Sequence, residues 1–193
     1  RILRAGMQYG LLPKIHADEI EPYQGADLAA KLGAVSADHL LRASDEGIRQ
    51  MAEKGVVAVL LPGTAFFLKA EAANGRKMID AGVAVALSTD RNPGSSPTEN
   101  LPFIMNLGCQ TMGMTPAEVL VAATINAAHA IKQAHRVGSV EAGKVADLVV
   151  FDAPNYAYIQ YNYAVNLVET VMKAGQIVVE KGRLNHDLSV SPA

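Results

Sequence analysis

In its first half the chain repeats one pattern: a short apolar run, a polar end, then a stretch with helical spacing. The first run, Leu11-Leu12-Pro13-Lys14-Ile15, gives way to His16-Ala17-Asp18-Glu19. Pro13 suits a strand start or edge, because proline has no amide hydrogen to give to a ladder. The spacing predicts a helix over Gly25–Leu32, rich in Ala and Leu and stopped by Gly33. Ala34-Val35-Ser36-Ala37-Asp38-His39 is the second short run. Ser44 reads as the N-cap of a helix with Ile48, Met51 and Ala52 on one face and Gly55 past its end. Val56–Leu61 is a continuous apolar strand closed by Pro62-Gly63-Thr64. A helix is predicted from Lys69 to Ala81 with Gly82 as its stop, and a further strand over Val83–Leu87 ends in Ser88-Thr89-Asp90.

The last two strands do not alternate between apolar and polar, which marks parallel strands covered on both faces. Successive strand–helix units predict an α/β fold. Polar residues gather at the C-terminal strand ends, the catalytic face of a closed (β/α) barrel. The same ends bind ligands in an open doubly wound sheet, so the pattern leaves both architectures open.

Beyond Asp90 the loop Arg91–Pro102 is rich in Asn, Pro, Gly and Ser. Thr115-Pro116-Ala117-Glu118 combines capping-box spacing with proline at the first helical position, and predicts a helix running to about Ala134. After Gly138 the texture turns to β: a strand over Ala146–Asp152, and a hairpin of Glu169–Lys173 and Gln176–Glu180 around Ala174-Gly175. The tail from Asn185 reads as short and frayed. The expected division is an α/β part over residues 1–138 and a β-rich segment over 139–193.

Composition narrows the function classes. Among 193 residues, 17 basic and 19 acidic side chains leave a net charge of −2. That balance argues against nucleic acid or an anionic membrane surface as the main partner, since both call for a clustered positive excess. Half the residues are apolar, so a core can form, yet aromatics are only 5 %, which favours tight helix–sheet packing over an aromatic platform. The single cysteine, Cys109, forms no internal disulfide and fits a reducing cytoplasm. No apolar run approaches the ~18 residues of a membrane span.

Four residues carry the candidate chemistry: His16, Glu19, His39 and Asp90, each at or just beyond a predicted strand end. Imidazole and carboxylate are ligands that Zn²⁺ or Fe²⁺ accepts. Glu19, His39 or Asp90 could take a proton from a metal-bound water. Each also has a structural reading: His16 or His39 as a hydrogen-bonded strand residue, Asp90 as a loop cap, Glu19 as a solvated charge. Their coincidence on one sheet edge favours the site. Asn92, Gly94 and Ser95 offer amide and hydroxyl groups to a polar substrate, or make a good turn. His129 reads as a helix residue, His135 and His186 as loop residues, and Cys109 as a small buried hydrophobe.

Lys14-Ile15-His16-Ala17-Asp18-Glu19, Val35-Ser36-Ala37-Asp38-His39-Leu40, Leu61-Pro62-Gly63-Thr64 and Ser88-Thr89-Asp90-Arg91-Asn92-Pro93-Gly94-Ser95 occur in that order. Together they resemble the imidazolonepropionase family of metal-dependent amidohydrolases. Gly138–Asp152 and the Met172–Val178 hairpin are similar to the C-terminal β segment of such enzymes. The resemblance implies the C-terminal half, strands five to eight, of a (β/α)8 TIM-like barrel. It implies His16 and Asp90 as metal ligands, Glu19 as the carboxylate that contacts the ring, and His39 as a proton shuttle, with Asn92, Gly94 and Ser95 holding the substrate. The implied reaction is hydrolysis of 4-imidazolone-5-propanoate at its ring amide to N-formimino-L-glutamate, with one Zn²⁺ or Fe²⁺/Fe³⁺ ion per site.

The family also takes two ligands from a His-x-His pair on its first strand, and no such pair occurs here. The strand–helix units span about half of the ~250 residues of a complete barrel, and the chain opens on Arg1. The expectation is therefore a part of a longer parent, open to homodimer formation, that alone binds metal weakly and turns over little substrate. Another amidohydrolase (a cyclic amidase or deaminase) and a non-catalytic binding or assembly module are the alternatives.

Overall fold

A computed structural model describes residues 1–185. The expected tail beyond Asn185, with His186, lies outside the described residues. Four short strands form a parallel sheet in chain order: β1 (Lys14–Ala17), β2 (Ser36–His39), β3 (Val57–Leu60) and β4 (Val85–Leu87). The order never reverses, so all the crossovers lie to one side, as in a barrel wall and unlike a doubly wound sheet.

The crossovers are α2 (Gly25–Leu32), α3 (Asp45–Lys54), and the pair α4 (Pro62–Phe67) and α5 (Gly75–Asp80). Their signals are those of the sequence: Ser44 Oγ accepts from the Gly47 amide, and Gly33 and Gly55 close α2 and α3 in left-handed conformations. Small residues bring these layers close. A Cβ on Gly25 would lie 2.8 Å from the Ala17 backbone, and one on Gly47 2.8 Å from Ala26 Cβ. The main core therefore joins Ala17, Ala37, Ala58, Leu60 and Leu87 to Ala26, Ala29, Ile48, Met51 and Met78.

Two helices differ from expectation. In place of one helix over 69–81 there is α4, which ends near Lys69 at φ 56, and α5, which starts only where Asn74 accepts from the Lys77 amide. The helix expected from Thr115 to Ala134 divides at Thr124 (φ −119, ψ −95) into α7 (Pro116–Ala123) and α8 (Ile125–Ala130). The break lets α8 drop across the opposite face of the sheet, where Ala127 and Ala130 pack on Val57, Val59 and Ala86. Asn126 Nδ2 secures it to the Val85 carbonyl at 2.8 Å.

The long α6 (Leu101–Met112) carries Cys109, which is half-buried against the core. Beyond Gly138 a second, antiparallel sheet runs β5 (Leu148–Phe151), β6 (Val168–Lys173), β7 (Gln176–Glu180), β8 (Arg183–Leu184). The β6–β7 turn sits at Ala174 (φ 47) and Gly175 (φ 81), the paired left-handed conformations that a two-residue hairpin turn demands. Neither α1 (Ile2–Gln8) nor α9 (Tyr156–Tyr161) was foreseen. In α1 no residue is buried, and α9 is pinned when Asn106 Nδ2 donates to the Gln160 carbonyl at 2.8 Å.

Candidate active site

The site is built at the C-terminal ends of β1 and β2. His16 lies on β1, exposed on the face that α8 partly covers. After Ala17 the chain turns sharply: Asp18, at φ 49, is buried, and its carboxylate accepts from the Gly25 and Ala26 amides at 2.8 and 2.9 Å. Asp18 thus does the capping of α2 that its N-cap residue Gln24 does not. That closure holds Glu19 beside the strand ends.

On β2, His39 pairs in register with Ala17, yet its backbone and that of Leu40 are left-handed (φ 75 and 62). Consecutive non-glycine residues in this region are unusual and mark a conformation imposed by the surrounding structure. Here Leu40 fills the core while the His39 ring meets His16, with centroids 4.9 Å apart and planes tilted by 48°. Glu19 Oε1 stands 3.6 Å from His39 Nδ1. One ligand atom from each of His16, Glu19 and His39 lies within 4.8 Å of the others.

His39 is 2 % exposed, and among the described residues its Nδ1 has no hydrogen-bond partner. Burial pushes its pKa below the ordinary 6.5; Glu19 and Asp90 pull it back up, His16 pushes it down, and Asp38 raises it. The ring is therefore neutral at pH 7, able to accept a proton or ligate.

Asp90 follows β4 at φ 51, and its Oδ2 accepts from Thr64 Oγ1 at 2.6 Å. Its charge reaches His39, but it stands outside the tight trio of ligand atoms. The loop beyond folds on Asn92, whose Oδ1 accepts from the Gly94 and Ser95 amides (2.9 and 2.8 Å). Its Nδ2 donates to the Asp90 carbonyl (2.7 Å) and to Ser95 Oγ (3.0 Å). The structure gathers Asn92, Gly94 and Ser95 into one turn beside Asp90, with the Asn92 amide spent inside that turn. His129 and His135 are exposed and away from the trio. The Cys109 thiol is pushed up by burial and by Glu118, which leaves it protonated.

Sequence reasoning passed over Thr64, Asp18 and a polar group below the site. There Ser36 Oγ donates to Asp38 Oδ1 at 2.8 Å, and Lys14 Nζ lies 3.7 Å from that oxygen and donates to the Ala130 carbonyl at 3.2 Å. The alternation Lys14/His16 and Ser36/Asp38 placed them on one face; their contacts depend on the β1–β2 register.

Two imidazoles and two carboxylates, with an unpartnered buried imidazole nitrogen among them, suit a borderline divalent metal such as zinc or iron. The sequence model of the Amidohydrolase family matches residues 16–178. That is most of the chain, and the chain belongs to this family. At finer grain, it is 74% identical over 184 residues to a Brevibacillus brevis protein named imidazolonepropionase. That match takes in 95% of this chain and 43% of the relative. A Shouchella clausii protein of the same name is 73% identical over 183 residues, 95% of this chain and 41% of the relative. The chain thus spans less than half the length of these curated relatives. Among solved structures, an adenosine deaminase from Xanthomonas campestris with bound zinc superimposes at a TM-score of 0.81 with 23% identity, over 95% of this chain and 48% of that one. A. niger ochratoxinase superimposes at a TM-score of 0.75 with 25% identity, over 94% of this chain and 44% of that one. These likenesses agree with the fold: a partial TIM-type barrel with a small antiparallel sheet.

Proposed function

We propose that the chain supplies part of the active site of a metal-dependent hydrolase that opens 4-imidazolone-5-propanoate to N-formimino-L-glutamate. The observation that carries this reading is the convergence of His16, Glu19 and His39 within 4.8 Å at adjacent strand ends. The names of the relatives at 74 % and 73 % identity direct it to this substrate.

His16 and Asp90 would hold the ion, with Glu19 and His39 facing it. A bound Zn²⁺ or Fe²⁺ supplies a lowered pKa for water and a polarised ring carbonyl. The protein's own groups then handle protons and orientation. Glu19, half-buried, accepts a proton from the attacking water and contacts the ring. His39, neutral through burial, holds that proton at a ring nitrogen and delivers it to the leaving ring nitrogen. Water oxygen joins the carbonyl carbon, the ring C–N bond breaks, and the freed nitrogen gains hydrogen. The turn of Asn92, Gly94 and Ser95 borders the substrate's acidic arm. A small-molecule substrate, with neither nucleic acid nor membrane as partner, fits the net charge of −2. We place the activity in the cytoplasm on the lone cysteine; no described helix is long and apolar enough to cross a membrane.

The test is a chimera in which residues 1–185 replace the matched segment of the Brevibacillus brevis relative. Turnover of 4-imidazolone-5-propanoate, with formiminoglutamate as product and loss of turnover in His16→Ala, is the expected result. A folded, metal-loaded chimera inert on this substrate but active on an aminated base would move the reading to a deaminase.

A further inference from the structure

We infer that Thr64 is a positioning residue for Asp90: its hydroxyl decides which carboxylate oxygen is left for the metal ion. This rests on the reading of Asp90 as a ligand. Thr64 lies in the first turn of α4, just past the C-terminal end of β3, one strand away from the residue it serves. It is 3 % exposed, so water does not compete for its hydroxyl. The 2.6 Å distance to Asp90 Oδ2 is at the short end for a hydroxyl donating to a carboxylate. Among the described residues no hydrogen bond reaches Oδ1. One oxygen is therefore occupied and the other is free.

The hydroxyl has no competing task in α4. Leu61, the N-cap, makes no side-chain cap, and Pro62 opens the helix without a donor. Thr64 instead bridges two strand ends.

The rest of the neighbourhood supports the same residue. Asp90 holds a φ of 51, a conformation that L side chains rarely adopt. Ser96, buried, donates from Oγ to the Thr89 carbonyl at 2.6 Å, and Asn92 Nδ2 donates to the Asp90 carbonyl at 2.7 Å. Those bonds fix the backbone on either side; among the described residues Thr64 alone donates to the carboxylate. The absence of a side chain at Gly63 belongs to this arrangement. A Cβ there would lie 2.7 Å from Ile104 Cδ1 and 3.1 Å from Ser96 Oγ, so α4 seats directly against the Ser96 strut.

A donor on Oδ2 leaves Oδ1 as a single, oriented ligand atom. Groups that orient a ligand in this way typically change metal affinity about 10- to 100-fold when removed.

Thr64→Val keeps the shape and removes the hydroxyl; Thr64→Ser keeps the hydroxyl; Thr64→Ala is a second hydroxyl-free variant should valine not fold. Each is made in the 193-residue chain and in the chimera, and Zn²⁺ affinity is read by competition with a chromophoric chelator. Melting of the metal-free proteins reports the fold. The expected result is Zn²⁺ binding about 10- to 100-fold weaker in Thr64→Val, near-parental binding in Thr64→Ser, and no further effect of Thr64→Val on an Asp90→Asn background. Parental affinity in Thr64→Val and Thr64→Ala, or a serine variant as weak as valine, overturns the proposal. A parent that holds no Zn²⁺ in either form overturns it together with the ligand reading. A parent that holds Zn²⁺ yet leaves 4-imidazolone-5-propanoate intact removes only the substrate reading.

Discussion

His39 shows how much one residue's environment sets its chemistry. A histidine at a strand end carries no mark of its chemistry in sequence; burial lowers the pKa of His39, and Glu19 Oε1 stands 3.6 Å from its Nδ1. The roles proposed for these side chains make separate predictions. His16→Ala in the chimera should lose bound metal, measured by elemental analysis, along with turnover. Glu19→Gln should retain the metal and the fold but lower kcat about 10²- to 10⁴-fold, the usual contribution of a positioned acid–base group. Equal metal loss in both variants would make Glu19 a ligand in its own right. The candidates His16, Glu19, His39 and Asp90 were legible in sequence because each follows an apolar run. The Asn92 amide was legible only as a choice between turn and substrate contact. The structure shows the turn, through bonds to Gly94, Ser95 and Asp90.

At the level of elements, caps and glycines were readable because they act through neighbours in sequence. The α7 capping box is complete: Thr115 Oγ1 caps the Glu118 amide, and Glu118 returns to the Thr115 amide. Thr115→Ala should destabilise the chain by about 1 kcal/mol in denaturant unfolding. The same Glu118 carboxylate takes both oxygens to Arg76 of α5, at 3.0 and 2.9 Å. The Thr115 amide first, then the Thr115 hydroxyl and Arg76, hold its carboxyl below the ordinary 4.5. A carboxyl depressed by folding stabilises fully above its unfolded value and loses that contribution as pH falls through the folded one. The melting temperature should therefore drop as pH falls below about 4.5, and Glu118→Gln should flatten that part of the curve. By contrast, nothing local announces the break at Thr124. It exists because α8 must lie on Val57 and Ala86, residues distant in sequence. The α4–α5 division has a local component, Asn74, but its spacing alone also fits a longer helix.

For the whole molecule, the parallel sheet ends, among the described residues, in two edge strands, β1 and β4, each with a neighbour on one side only. Edge strands with free amides and carbonyls invite pairing. The chain by itself should therefore associate with concentration in light scattering. It should bind Zn²⁺ more weakly than the chimera and show little turnover. Addition of the part of the Brevibacillus brevis relative that the chain does not cover should reduce the self-association. A compact monomer indifferent to Zn²⁺ would instead favour a binding module. The sequence by itself determined the α/β class, the alternation of strands and helices along the chain, the caps and the set of candidate residues, since these follow from periodicity, turn chemistry and short-range spacing. Only the tertiary structure decided that the sheet runs without reversal, that α8 leaves α7 to cover its inner face, and that Thr64 reaches Asp90 from a neighbouring strand. It also brought His16, Glu19 and His39 within 4.8 Å. Those outcomes depend on register and on left-handed turns at Asp18 and His39, and residues far apart in the chain set them together.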